Sequence, residues 1–190
     1  MKTPLICSLS SLAGNIRDTR PDQVITLIDP HPKHDADLAE IALLRWGSFS
    51  RATDAFPVYQ GFDWLRLSFA DLEDAADPDG PKWEHVERIV QWAKKDVNTI
   101  VCCNGGVARS SATAIGLMCF WGMTPEQACE AAWSSKSSIW PNSLLTRMFD
   151  QMCKLNGALV SACAKAKGVP RCPDCCQVLL AGLEFHECPK

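Results

Sequence analysis

The chain has 190 residues, 47% of them apolar and 22% charged, which suits one globular domain of ordinary size with room for a small appendage. Its net charge of −3 argues against a nucleic-acid partner. Phosphate recognition, if present, has to come from a local site and not from a basic field over the whole surface.

Leu5-Ile-Cys7 reads as a short first strand, and Ser10 or Ser11 as the cap of a helix reaching Arg17. Gln23-Val-Ile-Thr-Leu-Ile28 is rich in β-branched residues and is stopped by Asp29-Pro30, which predicts a second strand. Ala36–Leu43 has a helical pattern, and the stretch from Trp46 to Asp63 has no legible period. Trp64–Phe69 alternates as a strand does, and the acidic, breaker-rich run Ala70–Pro81 is a loop. From Lys82 to Lys95 the residues Trp83, Val86, Ile89, Val90 and Ala93 share one helical face, with His85 on the polar side facing solvent. Thr99–Cys102 is a buried strand. A helix from Ser110 to about Trp121 is apolar on nearly every side, so it belongs in the interior. It is too short, and too polar at its front, to cross a bilayer, which takes about 20 residues. Gly122 ends it, and Thr124-Pro-Glu-Gln127 is a capping box opening a helix to about Trp133. A last helical region runs from Leu144 to Lys167, with a break at Asn156-Gly157. The start of the chain has no signal-peptide pattern, and the expected location is cytoplasmic, with no membrane partner.

The chemistry concentrates in Val101-Cys-Cys-Asn-Gly-Gly-Val-Ala-Arg-Ser110. A buried strand feeds a loop that enters a buried helix, and the free N–H groups of a helix start suit a phosphate. Gly105 and Gly106 let the loop curl, so that Asn104, Gly105, Gly106, Val107 and Ala108 can present their amides to an anion. Arg109 closes the loop with a planar fork that binds two phosphate oxygens at once. The helix start and the guanidinium both lower the pKa of a thiol, which makes Cys103 a nucleophile able to carry a phosphoryl group. Ser110 is placed to donate a hydrogen bond to that sulfur. A packed cysteine before a glycine turn would account for Cys103 alone. It would not account for the strand, the two glycines, Arg-Ser and an apolar helix in this order. The leaving oxygen of a phosphoester also needs a proton. Asp71 and Asp74, on the loop after the third predicted strand, are the candidates, and Asp71 follows the strand more closely.

The run resembles the signature of the protein tyrosine and dual-specificity phosphatases, His-Cys, five residues, Arg, then Ser or Thr, and Cys103, Arg109 and Ser110 match it. The chain is similar to the compact tyrosine-phosphatase-like proteins of bacteria and phages over roughly residues 4 to 155. That stretch includes Val24–Leu27, the loop after Phe69, and Trp140-Pro141-Asn142. The resemblance implies an α/β fold, a central sheet flanked by helices. It also implies hydrolysis in two steps with no catalytic cofactor, a phosphorylated protein as substrate, and a mobile acid loop in which Asp71 matches the family's position. Nucleic-acid 5′-phosphates and phosphoinositides are alternative substrates, and a phosphate-binding pseudophosphatase or adaptor is the alternative outside catalysis. Asn142 is either a pocket residue or a helix cap. One position departs: the family's histidine before the nucleophile is Cys102. It cannot supply that histidine's hydrogen bonds, which implies reduced activity and a vicinal Cys102–Cys103 pair open to oxidation.

Eleven cysteines would form a disulfide scaffold in a much smaller secreted chain, whereas a core of this size needs no staples. Reduced thiols plus one metal site fit better. Cys172-Pro-Asp-Cys175, followed after ten residues by His186 and Cys188, has the spacing of a tetrahedral zinc site. All four positions are filled by protein, so the zinc would be structural, and the division is 1–168 for the main domain and 169–190 for a zinc-knuckle appendage.

Overall fold

The β-branched runs do become strands. The computed structural model describes residues 1–29, 41 and 61–167. Among these residues, β1 (Leu5–Ser8), β2 (Gln23–Ile28), β3 (Asp63–Ser68) and β4 (Thr99–Cys103) form one parallel sheet in the order β1-β4-β2-β3. β2 and β4 are central and buried along their whole length. That is the cost-free place for apolar strands without alternation. β3, at the edge, keeps the alternation expected of it, with Leu65 and Leu67 inward and Asp63, Arg66 and Ser68 exposed.

Six helices with described bounds accompany the sheet among these residues: α1 (Leu9–Thr19), α2 (Trp83–Trp92), α3 (Arg109–Phe120), α4 (Pro125–Ser135), α5 (Ser143–Met152) and α6 (Ala158–Lys167). Successive strand residues point to opposite faces, and the two faces bury two clusters. One joins Leu9, Leu12 and Ile16 of α1 to Cys7, Val24, Ile28, Ile100 and Cys102. The other joins Ile6, Ile25, Leu27, Val101 and Cys103 to apolar residues of α2 through α6. The result is a three-layer α/β architecture, with α3 against the centre of the sheet. Ten of its residues besides Arg109 are buried.

The elements differ from the sequence reading mainly at their ends. α1 begins at Leu9 after Ser8, whose hydroxyl lies 3.0 Å from those of Ser10 and Ser11; neither of these two serines is its cap. The last helical region is two helices, because the chain leaves α5 at Met152 and takes left-handed backbone at Lys154, Asn156 and Gly157 before α6. Asp150 stitches the break, its two carboxylate oxygens accepting from the amides of Gly157 (2.7 Å) and Leu159 (2.8 Å). His85 is half-buried and not fully solvent-facing. Its ring stacks on Phe69 at 4.5 Å, and its Nδ1 accepts from the Lys82 amide at 3.0 Å. The helix expected over Ala36–Leu43 lies outside the described residues apart from Ile41, which is helical and buried. The Cys172, Cys175, His186 and Cys188 set also lies outside them. Among the described residues, no group of three or more side chains is arranged to hold a metal ion, and no helix is long and apolar enough to cross a membrane.

Candidate active site

In a parallel sheet every strand ends at the same edge, and ligands bind beyond the carboxyl ends of strands where the order changes direction. β4 lies between β1 and β2, so the loop leaving Cys103 opens at such a point. Three other segments arrive there from neighbouring strands: Ser8 from β1, Asp29 from β2, and Phe69 to Asp71 from β3.

The Cys103 side chain is buried, and its Sγ lies 3.2 Å from Ser110 Oγ in the first turn of α3. The loop between them is tied at several points. Asn104 O accepts from the Leu9 amide at 3.2 Å, and Lys136 Nζ donates to Gly106 O at 2.8 Å. Val107 O accepts from the Trp140 amide at 3.0 Å, and Ala108 O from the Asn142 amide at 3.2 Å. With its carbonyls turned outward to these donors, the loop is a preformed curl. Of the two glycines, Gly106 alone needs its freedom. Its φ is +66°, and a Cβ there would stand 2.5 Å from the Cys7 carbonyl carbon and the Ser8 nitrogen. No acidic residue occupies the first turn of α3, so the positive end of that helix is left for an anion.

Arg109 is 2% exposed. One guanidinium nitrogen, Nη1, is held from behind by the Phe69 carbonyl and by Asp29 Oδ1, the latter at 2.9 Å. Asp29 also accepts from the Asn104 side chain through its other oxygen, so one carboxylate braces both ends of the loop. The buried Nε has no hydrogen-bond partner among the described residues and lies 4.0 Å from Asp71 Oδ2. A buried guanidinium N–H is costly to leave unpaired, and a phosphate oxygen would satisfy it.

Asp71 stands beside Arg109 with its other oxygen fixed. Asn142 Nδ2 donates to Asp71 Oδ1 at 2.8 Å and to Leu72 O at 3.1 Å. Asp74 points elsewhere, accepting from the Ala76 amide at 2.9 Å in a local turn. Asn142 is also a helix cap, because its Oδ1 accepts from the Leu145 amide at 3.0 Å.

The vicinal cysteines do not face each other. As neighbours on a strand they point to opposite faces, with Cys103 in one core cluster and Cys102 in the other. Cys102 pairs in register with Cys7 of β1. A hydrogen bond between these two thiols and burial push the Cys102 thiol well up, while the same bond, helped by the charge of Lys136, draws Cys7 down. The expected Cys102–Cys103 oxidation therefore has no geometric support. Asp29 and Lys136 were not among the residues expected at the site. Asp29 carries a signal, being an acid directly after a buried strand and hence at the sheet's carboxyl edge, but the same position also suits a strand terminator. Lys136 carried none, since only the fold brings the end of α4 under Gly106.

The Cys103 thiol at the end of β4, the curled loop to Arg109 and the Asp71 carboxylate beyond the end of β3 meet at one edge of the sheet. The fold is that of the cysteine-dependent tyrosine and dual-specificity phosphatases. No protein-family model matches the chain, and no curated protein matches it significantly. Among solved structures, it is similar to PTPMT1 at 17% identity and TM-score 0.52, over 86% of this chain and 93% of that one. PTPMT1 in complex with PI(5)P gives 17% and 0.50, over 83% and 92%. A variant of human DUSP28 gives 15% and 0.51, over 83% and 99%. At these identities the likeness is one of fold.

Proposed function

We propose that the protein is a phosphomonoester hydrolase of the protein-tyrosine or dual-specificity type, working through a phosphocysteine on Cys103. The observation that carries this reading is the pairing of Cys103 Sγ, 3.2 Å from Ser110 Oγ, with a buried Arg109 whose Nε has no hydrogen-bond partner among the described residues, at the two ends of one loop.

In the first step the Cys103 thiolate attacks phosphorus and the bond to the leaving oxygen breaks. The loop amides of 104–108 and Arg109 hold the equatorial oxygens, where charge accumulates. Neutral Asp71 gives its proton to the leaving oxygen. In the second step Asp71, now a carboxylate, takes a proton from water as that water attacks phosphorus. The S–P bond breaks, and Ser110 donates to the departing sulfur. No metal or organic cofactor enters either step.

The substrate is a phosphorylated protein. A phosphoinositide is the second reading, prompted by the similar fold solved with PI(5)P. A cytoplasmic location and the division at residue 168 belong to the same proposal. So does a structural zinc on Cys172, Cys175, His186 and Cys188, which metal analysis of the purified chain tests directly.

The deciding experiment is hydrolysis of para-nitrophenyl phosphate, a phosphotyrosine peptide and a phosphoinositide by the wild type, Cys103→Ser and Asp71→Asn. Cys103→Ser should lose all turnover and still bind phosphate. Asp71→Asn should lose about 10²-fold or more on alkyl phosphates, the usual reach of general acid catalysis. A wild type that binds phosphate without turnover would establish the pseudophosphatase reading instead.

A further inference from the structure

Three consecutive residues of the acid loop are bonded to the beginning of α5. Asp71 Oδ1 and Leu72 O accept from Asn142 Nδ2. Glu73 Oε1 accepts from the amide of Ser143, the first residue of the helix, at 3.0 Å. The Glu73 carbonyl accepts from Arg147 Nη2, one turn further on, at 3.3 Å. The helix start is itself fixed to the phosphate loop, because the Asn142 amide donates to Ala108 O. The chain thus runs from phosphate loop to helix start to acid loop in a few hydrogen bonds.

Asn142 is buried and also caps its helix, so its loss would disturb several things at once. Glu73 is different. It is exposed, and the contacts described for it are with α5 and with the charges of Arg147 and Lys167. A carboxylate at a helix start is favoured by the unpaired N–H groups and by the dipole. The Glu73 carboxyl is accordingly held below its ordinary range, chiefly by the Ser143 amide and further by the charges of Lys167 and Arg147.

We propose that Glu73 is a positioning residue that latches the acid loop to the start of α5, and so sets how often Asp71 stands in place to donate its proton. This rests on the reading of Asp71 as the general acid. An acid loop has to open for substrate and close for chemistry, and such motions set many turnover rates. Here the closed arrangement is stabilised at a surface residue away from the sulfur. Glu73 itself exchanges no proton with the substrate.

The test is a series of aryl phosphates of increasing leaving-group basicity, run on Glu73→Ala, Glu73→Gln, Asp71→Asn and the double variant. If the latch exists, Glu73→Ala loses about 3- to 30-fold in kcat on the poorest leaving groups, within the range of general acid catalysis, and little on the best. Inhibition by inorganic phosphate stays unchanged, and amide hydrogen exchange quickens over residues 70–74. Glu73→Gln, which keeps an acceptor for the Ser143 amide, recovers part of the loss. Glu73→Ala costs nothing further in the Asp71→Asn background. The latch is overturned if Glu73→Ala matches wild type across the series while Asp71→Asn is crippled, or if the two losses simply multiply. If Asp71→Asn keeps wild-type rates on the poorest leaving groups, the acid assignment fails, and with it the latch's purpose.

Discussion

An arginine that binds phosphate is useful only if its fork already points the right way. Asp29 provides this at the residue scale, with Oδ1 on Arg109 Nη1 and Oδ2 on Asn104. Asp29→Asn keeps the shape and weakens both bonds. We expect kcat/KM to fall roughly tenfold, equivalent to about 1.4 kcal/mol of transition-state stabilisation, with weaker inhibition by phosphate as the second measurement. His85 supports the same arginine more remotely, since it stacks on Phe69, whose carbonyl holds Nη1. Burial lowers the pKa of His85, with Lys82 and Arg88 adding to the shift and Glu84 opposing it. The unfolded chain therefore takes up that proton first, near pH 6.5. Stability from this group is full above that pH and declines as pH falls from about 6.5 towards the lower folded value. Urea midpoints measured between pH 7.5 and 5.5 should show this decline in the wild type and a flatter profile in His85→Gln.

At the element scale, α3 decides most. It has no solvent face along most of its length, and its buried residues touch both the sheet and the helices outside it. Gly116 is where α5 comes closest. A Cβ on Gly116 would stand 2.1 Å from Phe149 Cγ, and Phe149 is fully buried. Alanine gains about 1 kcal/mol in helix propensity, whereas forcing a ring out of a packed core costs about 1–3 kcal/mol or more. Because that ring is fully buried, the cost should win. Gly116→Ala is expected to lower the unfolding free energy by about 1–2 kcal/mol in urea titration, and a stabilised variant would show that Phe149 has room to turn. α5 carries the other structural duty, offering its first amides to Glu73 and to the Asn142 cap.

Across the whole molecule the site is an assembly of strand ends. β1 gives the backbone against which Gly106 packs, β2 gives Asp29, β3 gives Phe69 and Asp71, and β4 gives Cys103. Gly106→Ala would drive a methyl group to 2.5 Å from the Cys7 and Ser8 backbone at a φ of +66°. Backbone cannot step aside as a side chain can. We expect the loop to be displaced, with phosphate binding and kcat/KM falling together by at least about tenfold, or about 1.4 kcal/mol. Gly105→Ala meets only Val107 Cγ2 at 3.9 Å and should be nearly silent in the same assays.

The sequence by itself determined the strand, loop and helix that carry Cys103, Arg109 and Ser110. All the information needed is local there: β-branched residues, two glycines and an apolar helix in unbroken order. It also places Asp71 nearer the strand end than Asp74 and offers Asn142 as a cap beside its other reading, because strand ends and helix starts leave local signatures. Only the tertiary structure decided what meets across the sheet. That β4 lies between β1 and β2 is a matter of strand order, which no local pattern encodes, and it puts Asp29 on Arg109 and Cys7 beside Cys102. The pairing of Glu73 with Ser143 joins residues 70 positions apart. His85 follows the same rule: its helix face reads as polar, but the ring stacked on it, Phe69, comes from another part of the chain. The loop Cys103–Arg109 could be read in one dimension; the carboxylates bonded to Arg109 and beside it could be placed only in three.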